Sequence, residues 1–426
     1  MKYSTRVFRV MRNFRRRDWR FTGFALMTTS LAFVCWYGCD GTGRRGAAAP
    51  RTAGPIRAIW VTRWDYKNPA DIAAVMDNCR SAGFNTILFQ VRGAGTAFYR
   101  SRIEPWADEL GGRDPGFDPL AVACREGHRR GLAVHAWVNV IPGFRGKKPP
   151  KNRRQLYNAH PDWFWHDARG RREPLGWYNN LNPCLPEVRR YLVAVMREIA
   201  KYPIDGIHMD YIRFPNEWND AYPTGARVPD YPRDRRTLAL FKRATGKTPD
   251  GAPKLWNRWR TDQITRLVRD IRRGVRKVNQ HAVLTAAVGA FPEDAKRKHF
   301  QDARRWVAEG LVDALYPMNY AANMRTYQNG LAQWTAERRR VPIVIGVYVD
   351  KRGPSLVAEQ IDRAVRSHGH FAGFAYNSLF ERRDRPTGLP ASGRLIMDDQ
   401  SPSRAALRQR LIPHLRSLAS RAVAKR

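Results

Sequence analysis

The sequence predicts a (β/α)8 barrel, and three observations support that fold. Short apolar runs alternate eight times with amphipathic helical segments. Such alternation requires parallel strands joined by right-handed crossovers. Polar and aromatic residues collect directly after the runs, at the end of the strands where barrels carry their functional sites. The competing fold is a doubly wound open sheet, which would show a glycine-rich phosphate turn after the first strand, and Val61-Thr-Arg-Trp-Asp65 has none.

The eight apolar runs have the length and composition of buried strands. They are Arg57–Thr62, Thr86–Arg92, Ala133–Val140, Gly206–Ile212, Val283–Gly289, Ala314–Asn319, Ile343–Val347 and Gly373–Tyr376. Caps and one-sided apolar spacing indicate the helices between them. Asn68-Pro69-Ala70-Asp71 opens the first helix, and a longer helix carries its apolar face from Trp256 to Val275.

Two loops are longer than this pattern requires, so we predict a barrel with extended loops after the third and fourth strands. The first covers Ile141 to about Asn182 and the second Phe214 to about Gly251. Both are rich in rings, namely Trp163, Phe164, Trp165, Trp177, Tyr178, Trp218, Tyr222 and Tyr231. Rings above a barrel mouth stack on sugars. Rings that only pack a long loop together are the alternative.

The charge of the chain does not by itself identify a partner. The 426 residues carry a formal net charge of +38, which suits a polyanion. The arginines, however, are spread along the whole chain, and no zinc-finger, RRM or basic-plus-heptad pattern accompanies them. We therefore predict no nucleic-acid partner, and attraction to an anionic cell envelope explains the charge equally well.

The amino terminus has the order of an export signal. Basic residues from Arg12 to Arg20 precede the uncharged stretch Phe21–Tyr37. Trp36-Tyr37-Gly38-Cys39 resembles a lipoprotein cleavage box, which predicts lipid attachment at Cys39; cleavage elsewhere and an uncleaved anchor are the alternatives. We expect an exported protein, periplasmic or membrane-anchored in a bacterial envelope.

These features divide the chain into four parts. Residues 1–39 are the export or lipoprotein signal, 40–55 a flexible linker, 56–384 the barrel and 385–426 a basic tail with a helix. The tail helix, Ser403–Lys425, is expected to pack on the barrel as its last helix, with a kink or break at Pro413. Cys79 and Cys124 are expected to be small buried residues, although a bridge between them is open in an exported protein.

Asp210 is the first catalytic candidate. It lies at the end of the fourth run, in Asp205-Gly-Ile-His-Met-Asp-Tyr-Ile-Arg-Phe-Pro215. A carboxylate in this position is costly to hold without a partner or a task. Arg213 would keep it ionised, as suits a nucleophile, a base or a stabiliser of an oxocarbenium ion. His208 shares its face of the strand and either orients Asp210 or fills a layer of the barrel.

Glycoside hydrolysis needs a second carboxyl group. We rank Glu293 first because it follows the fifth strand, which neighbours the fourth, and keep Asp350, Glu381 and Asp65 as alternatives. The predicted substrate-binding side chains are those at the other strand ends, together with His208 and Arg213: Arg63, Gln90, Arg92, Trp137, Asn139, Asn319, Tyr320, Tyr376 and Asn377. No metal-ligand spacing is visible, and no cofactor is predicted.

Nine ordered motifs closely resemble glycosyl hydrolase-like family 10. They are Ile56–Thr62, Phe84–Arg92, Glu104–Trp106, Pro115–Leu120, Gly131–Asn139, His160–Pro161, Leu181–Pro183, Pro186–Arg189 and Asp205–Pro215. The resemblance implies a bacterial envelope (β/α)8 protein of a group that includes many lipoproteins and some enzymes acting on peptidoglycan glycan strands. Many relatives have two adjacent acids where this chain has Asp210-Tyr211.

Two further likenesses are partial. Tyr316-Pro-Met-Asn-Tyr320 resembles the sixth-strand motif of family 18 chitinases, but the proton-donating Glu of that family would fall at Ile212. The fourth run superficially resembles that of amylases, whose arginine would fall at His208. The prediction is therefore a glycoside hydrolase acting on an envelope polysaccharide, with a non-catalytic carbohydrate-binding barrel as the alternative.

Overall fold

The computed structural model describes residues 54–214, 229–349, 353–380 and 403–424. The predicted signal, 1–39, and nearly all of the linker, 40–55, lie outside these ranges. The same holds for other residues that the sequence singles out, namely Cys39, Trp218, Tyr222, Asp350 and Glu381.

Eight parallel strands close into a barrel, with each strand bonded to the next and the last bonded to the first. The barrel strands are β1 (Arg57–Val61), β2 (Thr86–Arg92), β3 (Ala133–Asn139), β6 (Gly206–Asp210), β7 (Val283–Gly289), β8 (Ala314–Met318), β9 (Ile345–Tyr348) and β10 (Phe371–Phe374). Two short strands, β4 (Pro142–Phe144) and β5 (Asn179–Asn180), pair antiparallel inside the long loop after β3. The predicted fold class is confirmed.

Helices follow the strands around the outside of the barrel. The described helices are α1 (Pro69–Ser81), α2 (Pro119–Arg129), α3 (Leu156–Ala159), α4 (Pro186–Ile199), α5 (Arg235–Thr245), α6 (Pro253–Arg276), α7 (Pro292–His299), α8 (Ala303–Ala308), α9 (Met324–Ala332), α10 (Pro354–His368), α11 (Tyr376–Leu379) and α12 (Ser403–Ala424). As predicted, the Asn68 side chain caps α1 by accepting from the Asp71 N–H, with Pro69 as its first residue. No helix in the described part is both long and apolar enough to cross a membrane.

Two elements differ from the sequence prediction. The last strand ends at Phe374 rather than Tyr376, because pairing begins earlier, where Phe371 meets Arg57 and Ile345. The loop after the fourth barrel strand contains α5, which is capped by Asp234. The sequence carries signals of this helix, an Asp cap and a one-sided apolar stripe, but the prediction treated the whole segment as loop.

Helix α12 completes the ring of outer helices. It packs on α10 and α11 with Leu407, Leu411 and Leu415 buried, and Arg416 donates a hydrogen bond to the carbonyl of Ser81 at the end of α1. The expectation that this segment packs on the barrel is confirmed. The helix runs through Pro413, so of the expected kink or break the break is wrong, and the kink stays a prediction.

The barrel domain buries two cysteines as small free residues, and its interior polar side chains bond to one another. Cys79 on α1 and Cys124 on α2 are buried and free, which confirms the simpler expectation for both. Inside the barrel, the Trp60 indole donates to His208 Nε2 at 3.1 Å. His208 Nδ1 lies 2.9 Å from the Thr285 hydroxyl. A layer of mutually bonded side chains therefore forms the floor beneath the mouth.

Candidate functional site

Asp210 is the last residue of β6 and opens onto the mouth of the barrel. It is 6% exposed, and its Oδ1 accepts hydrogen bonds from Arg213 Nη1 at 3.2 Å and from the Tyr211 backbone N–H at 2.6 Å. Tyr211 has φ 48°, so the chain turns directly after the strand and brings Arg213 back toward Asp210. Both donors hold the carboxylate in place, and Arg213 pairs with Asp210 as the sequence predicted.

The neighbouring strand β3 presents two side chains beside Asp210. Asn139 pairs in register with Asp210, and Trp137 lies two residues earlier on the same face of the strand. Asn139 Nδ2 donates to Tyr178 Oη at 3.1 Å, while Asn139 Oδ1 and Trp137 Nε1 are buried without a partner among the described residues. Buried polar atoms of this kind are rare in folded proteins and call for an explanation, such as a ligand.

Arg63, after β1, continues this row of polar groups. It is 2% exposed; its Nε donates to Glu109 at 2.9 Å and its Nη1 to Tyr178 Oη at 3.3 Å. Its Nη2 has no partner in the described part of the chain. The Gln90 side chain accepts from the Arg63 backbone N–H at 3.0 Å, so Gln90 positions the loop that carries this arginine.

Rings and a second arginine lie above Arg63. The Arg145 guanidinium lies 4.0 Å from the centre of the Trp177 ring and 5.4 Å from that of Trp64. Among the described residues, two large apolar side chains are exposed, Trp177 at 38% and Phe291 at 36%. Both follow barrel strands on the carboxyl-end side, where a polysaccharide would reach the mouth.

Three further rings line the other side of the mouth. Tyr348 stacks on Phe374 with centroids 5.8 Å apart, and Tyr320 lies 5.4 Å from Tyr348. Burial, and after it the charge of Asp210, raise the pKa of Tyr320 well above its ordinary value. Asp210 is therefore near enough to Tyr320 for its charge to act on the phenol hydroxyl.

Two predicted substrate-binding residues are bonded within the protein. Arg92 is fully buried, pairs with Glu104 at 2.8 Å and donates to the carbonyls of Asn139, Val140 and Pro142, so it ties β2 to the loop after β3. His208 belongs to the interior layer, where burial lowers its pKa well below the ordinary value. Of the two roles considered for His208, the structure places it in the barrel layer.

Three predicted residues at the ends of β8 and β10 are turned toward helices. Asn319 donates to the Tyr327 carbonyl of α9 at 2.8 Å. Tyr376 Oη accepts from Asn78 on α1 at 2.8 Å, and its ring stacks on Phe380. Asn377 is buried on α11. The Asn319 amide nitrogen and the Tyr376 hydroxyl therefore bond to helices α9 and α1.

The described acids do not include a clear partner for Asp210. Glu293, ranked first from the sequence, has a side chain that is 72% exposed on α7 and pairs with Arg304 at 2.8 Å. It lies on the outer surface because α7 begins at Pro292 and turns it away. Asp65 accepts from the Thr62 N–H at 2.6 Å and closes a turn. Asp350 and Glu381 lie outside the described residues.

Sequence reasoning missed Arg145, Glu109 and Glu173. Burial raises the pKa of Glu173 to about 8 although Asn180 donates to it from both its backbone N–H and its side chain. Glu173 therefore stays protonated at neutral pH and holds the loop that carries Tyr178. No spacing rule identifies such residues, because their partners come from distant segments. In the described ranges, no three His, Cys, Asp or Glu side chains cluster as metal ligands would.

A closed parallel barrel with a carboxylate–arginine pair and rings at the carboxyl ends of its strands defines a TIM barrel of the kind found in glycoside hydrolases. The glycoside hydrolase domain of PgaB (BpsB) from Bordetella bronchiseptica superposes with a TM-score of 0.57 at 15% identity, covering 75% of this chain and 94% of that one. The catalytic domain of β-amylase from Paenibacillus polymyxa gives 0.56 at 11%, covering 84% and 98%. At such identities the likeness shows the fold alone.

The chain belongs to the family described as Glycosyl hydrolase-like 10, whose model matches residues 55–363. Among its relatives, the glycosyl hydrolase DigH of Escherichia coli K12 is 28% identical, over 71% of this chain and 75% of DigH. The glycosyl hydrolase YngK of Bacillus subtilis is 25% identical, over 68% of this chain and 59% of YngK. The family predicted from the sequence motifs is confirmed.

Proposed function

We propose that the protein is a glycoside hydrolase acting on a cell-envelope polysaccharide, with peptidoglycan glycan strands as the first substrate to test. One observation carries the proposal: Asp210, which accepts hydrogen bonds from Arg213 and the Tyr211 N–H, lies at the mouth beside buried polar atoms of Asn139 and Trp137 that have no described partner. In this role Asp210 attacks the anomeric carbon or stabilises the positive charge that develops there.

The proposal needs a proton donor as well. Asp350 is the candidate that we retain, because it directly follows Val349, whose N–H bonds to the carbonyl of Phe374 at the mouth. The export signal predicted for residues 1–39, with lipid on Cys39, would bring the barrel to the envelope and its polysaccharides. The names of the two curated relatives support hydrolysis as the activity.

Substituting the two carboxylates singly tests the catalytic assignment. Asp210→Asn is expected to lower the rate of glycan cleavage by about 10³-fold or more, in the range reported for loss of a catalytic acid, base or nucleophile. Asp350→Asn is expected to lower it similarly. Glu293→Gln is the matched control and should retain the parental rate, because this side chain points to solvent. The measurement is release of soluble fragments from purified sacculi, with a thermal melt of each variant.

Parental activity in a folded Asp210→Asn variant would refute the assignment. A second function, carbohydrate binding without hydrolysis, is favoured by Tyr211, which occupies the position where many relatives have a second acid. Sacculi that retain the parent protein but release no soluble fragments would support this alternative and overturn hydrolysis.

A further inference from the structure

Two arginines at the mouth have hydrogen-bonding capacity that the protein leaves unused. Arg63 donates from Nε to Glu109 and from Nη1 to Tyr178. Its buried Nη2 has no partner among the described residues. Arg145 Nε is also buried without a described partner. We call Arg63 and Arg145 the arginine pair. A buried guanidinium N–H that lacks an acceptor is costly, so two such groups indicate an acceptor supplied from outside.

The positive charge of the arginine pair is also only partly balanced by neighbouring carboxylates. Arg63 pairs with Glu109 at 2.9 Å, and Arg145 makes no ion pair with any residue in the described ranges. Two guanidinium groups therefore face one carboxylate, and the pair retains about one positive charge. Like charges at close range oppose each other, and an added anion relieves that repulsion. A single excess charge suits a monoanion better than a doubly charged phosphate.

The setting of the pair is that of a sugar subsite. Tyr178 Oη accepts from both Arg63 and Asn139, and Asn139 pairs in register with Asp210, so Tyr178 and Asn139 connect Arg63 to the proposed catalytic carboxylate. The rings of Trp64 and Trp177 flank Arg145. A sugar bound at this edge of the mouth would meet aromatic faces and free guanidinium N–H groups together.

We propose that the arginine pair binds the carboxylate of an acidic sugar, so that the protein recognises a carboxylate-bearing glycan in preference to a neutral one. The inference deepens the proposed function, on which it rests for its setting at the mouth. A carboxylate accepts from planar guanidinium groups through two oxygens, which matches the free Nη2 of Arg63 and the free Nε of Arg145.

Binding measurements separate this inference from hydrolysis. The folded Asp210→Asn protein is titrated with an oligosaccharide that carries one carboxylate per disaccharide, and with the same oligosaccharide after reduction of its carboxylates to alcohols. We expect the acidic form to bind at least about tenfold more tightly, the size of one charge-assisted contact. Adding Arg145→Gln should abolish that preference, because the acidic form loses more affinity than the reduced form. Arg145→Lys, which keeps the charge but loses the planar donors, should give an intermediate preference.

The matched control is Arg190→Gln. Arg190 is an exposed residue that lines a groove of about 610 Å³ between α4 and α6, outside the barrel, and its substitution removes the same charge. It should leave the preference intact. Thermal melts establish that the variants are folded.

Four outcomes of these measurements would overturn the carboxylate inference or separate it from the proposed hydrolysis. Equal affinity for the acidic and reduced oligosaccharides overturns the inference, and so does an equal effect of Arg190→Gln and Arg145→Gln, which would indicate attraction by the net charge alone. Tighter binding of a third probe, the oligosaccharide bearing a phosphate monoester, would overturn the assignment to a carboxylate. If the parent protein prefers the acidic form but cleaves neither, the proposed hydrolysis fails while this inference stands.

Discussion

The two halves of the barrel mouth use their polar residues differently. The polar half, at the ends of β1, β2, β3 and β6, leaves atoms of Arg63, Asn139 and Trp137 without described partners around Asp210. The aromatic half, at the ends of β8, β9 and β10, presents Tyr320, Tyr348 and Phe374 to the mouth. Its polar residues, Asn319 and Tyr376, bond to outer helices instead. A polar residue at a strand end thus indicates a site only where its bonding capacity is unused.

The largest contrast is expected from two equivalent asparagine substitutions. Asn139→Ala should lower activity by about 10- to 100-fold, because it removes a group free to bind substrate, with little change in melting temperature. Asn319→Ala should instead cost about 1–3 kcal/mol of stability by leaving the Tyr327 carbonyl unpaired, with activity per folded molecule retained. Initial rates and thermal melts of both variants test the contrast.

The comparison between the halves fails if Asn139→Ala lowers the stability and Asn319→Ala lowers the activity per folded molecule. Gly330→Ala provides a second check on the aromatic half without altering a polar group. A Cβ at position 330 would lie 2.4 Å from Asn319 Oδ1 and force that amide to move. It should therefore reproduce the loss of stability seen for Asn319→Ala.

A smaller effect is expected from the rings of the aromatic half. Tyr348→Ala removes a ring that stacks on Phe374, and we expect KM to rise up to about tenfold with kcat little changed, as for loss of one aromatic contact. Steady-state kinetics on soluble glycan fragments measure KM and kcat separately. Tyr376→Phe is the control, since its hydroxyl accepts from Asn78 on the outer helix α1; its KM should equal that of the parent. A fall in kcat for Tyr348→Ala at constant KM would contradict a binding role.

The sequence predicted the architecture better than the site, for a physical reason. Strand and helix periods are local, so all eight barrel strands, the Asn68 cap and the packing of α12 were predictable. Asp210 and Arg213 were predictable as a pair because they are three residues apart and flank the turn after β6. The direction of a side chain after a strand end depends on distant partners, as Tyr327 for Asn319 and Glu104 for Arg92 show.

The smallest predicted effect concerns the loop that covers the polar half. Burial raises the pKa of Glu173 to about 8, so its proton is retained in the folded protein at pH values where the unfolded chain has lost it. The stabilisation due to Glu173 is complete below about pH 4.5, its ordinary range, and is lost as the pH rises toward 8. Glu173→Gln, which is always neutral, should therefore raise the melting temperature by a few degrees more at pH 8 than at pH 5.

Glu126 on α2 provides a control of opposite sign. Hydrogen bonds from Arg130 and Arg129 lower the pKa of its carboxyl to about 2. The stabilisation from Glu126 is therefore present above about pH 4.5 and is lost as the pH falls toward 2. Glu126→Gln should lower the melting temperature at pH 8. Identical pH profiles for the two variants would show that Glu173 is not held protonated in the loop.

Helix α12 contacts both the first and the last segments of the barrel. Strand β1 pairs with β10, and Leu415 of α12 packs so closely on Gly83 that a Cβ there would lie 2.9 Å from the Leu415 carbonyl oxygen. The first βα unit therefore cannot acquire its complete neighbours until α12 has been synthesised and has packed beside it. The order of synthesis thus makes α1, one of the first helices to be made, wait for α12 before its outer surface is covered.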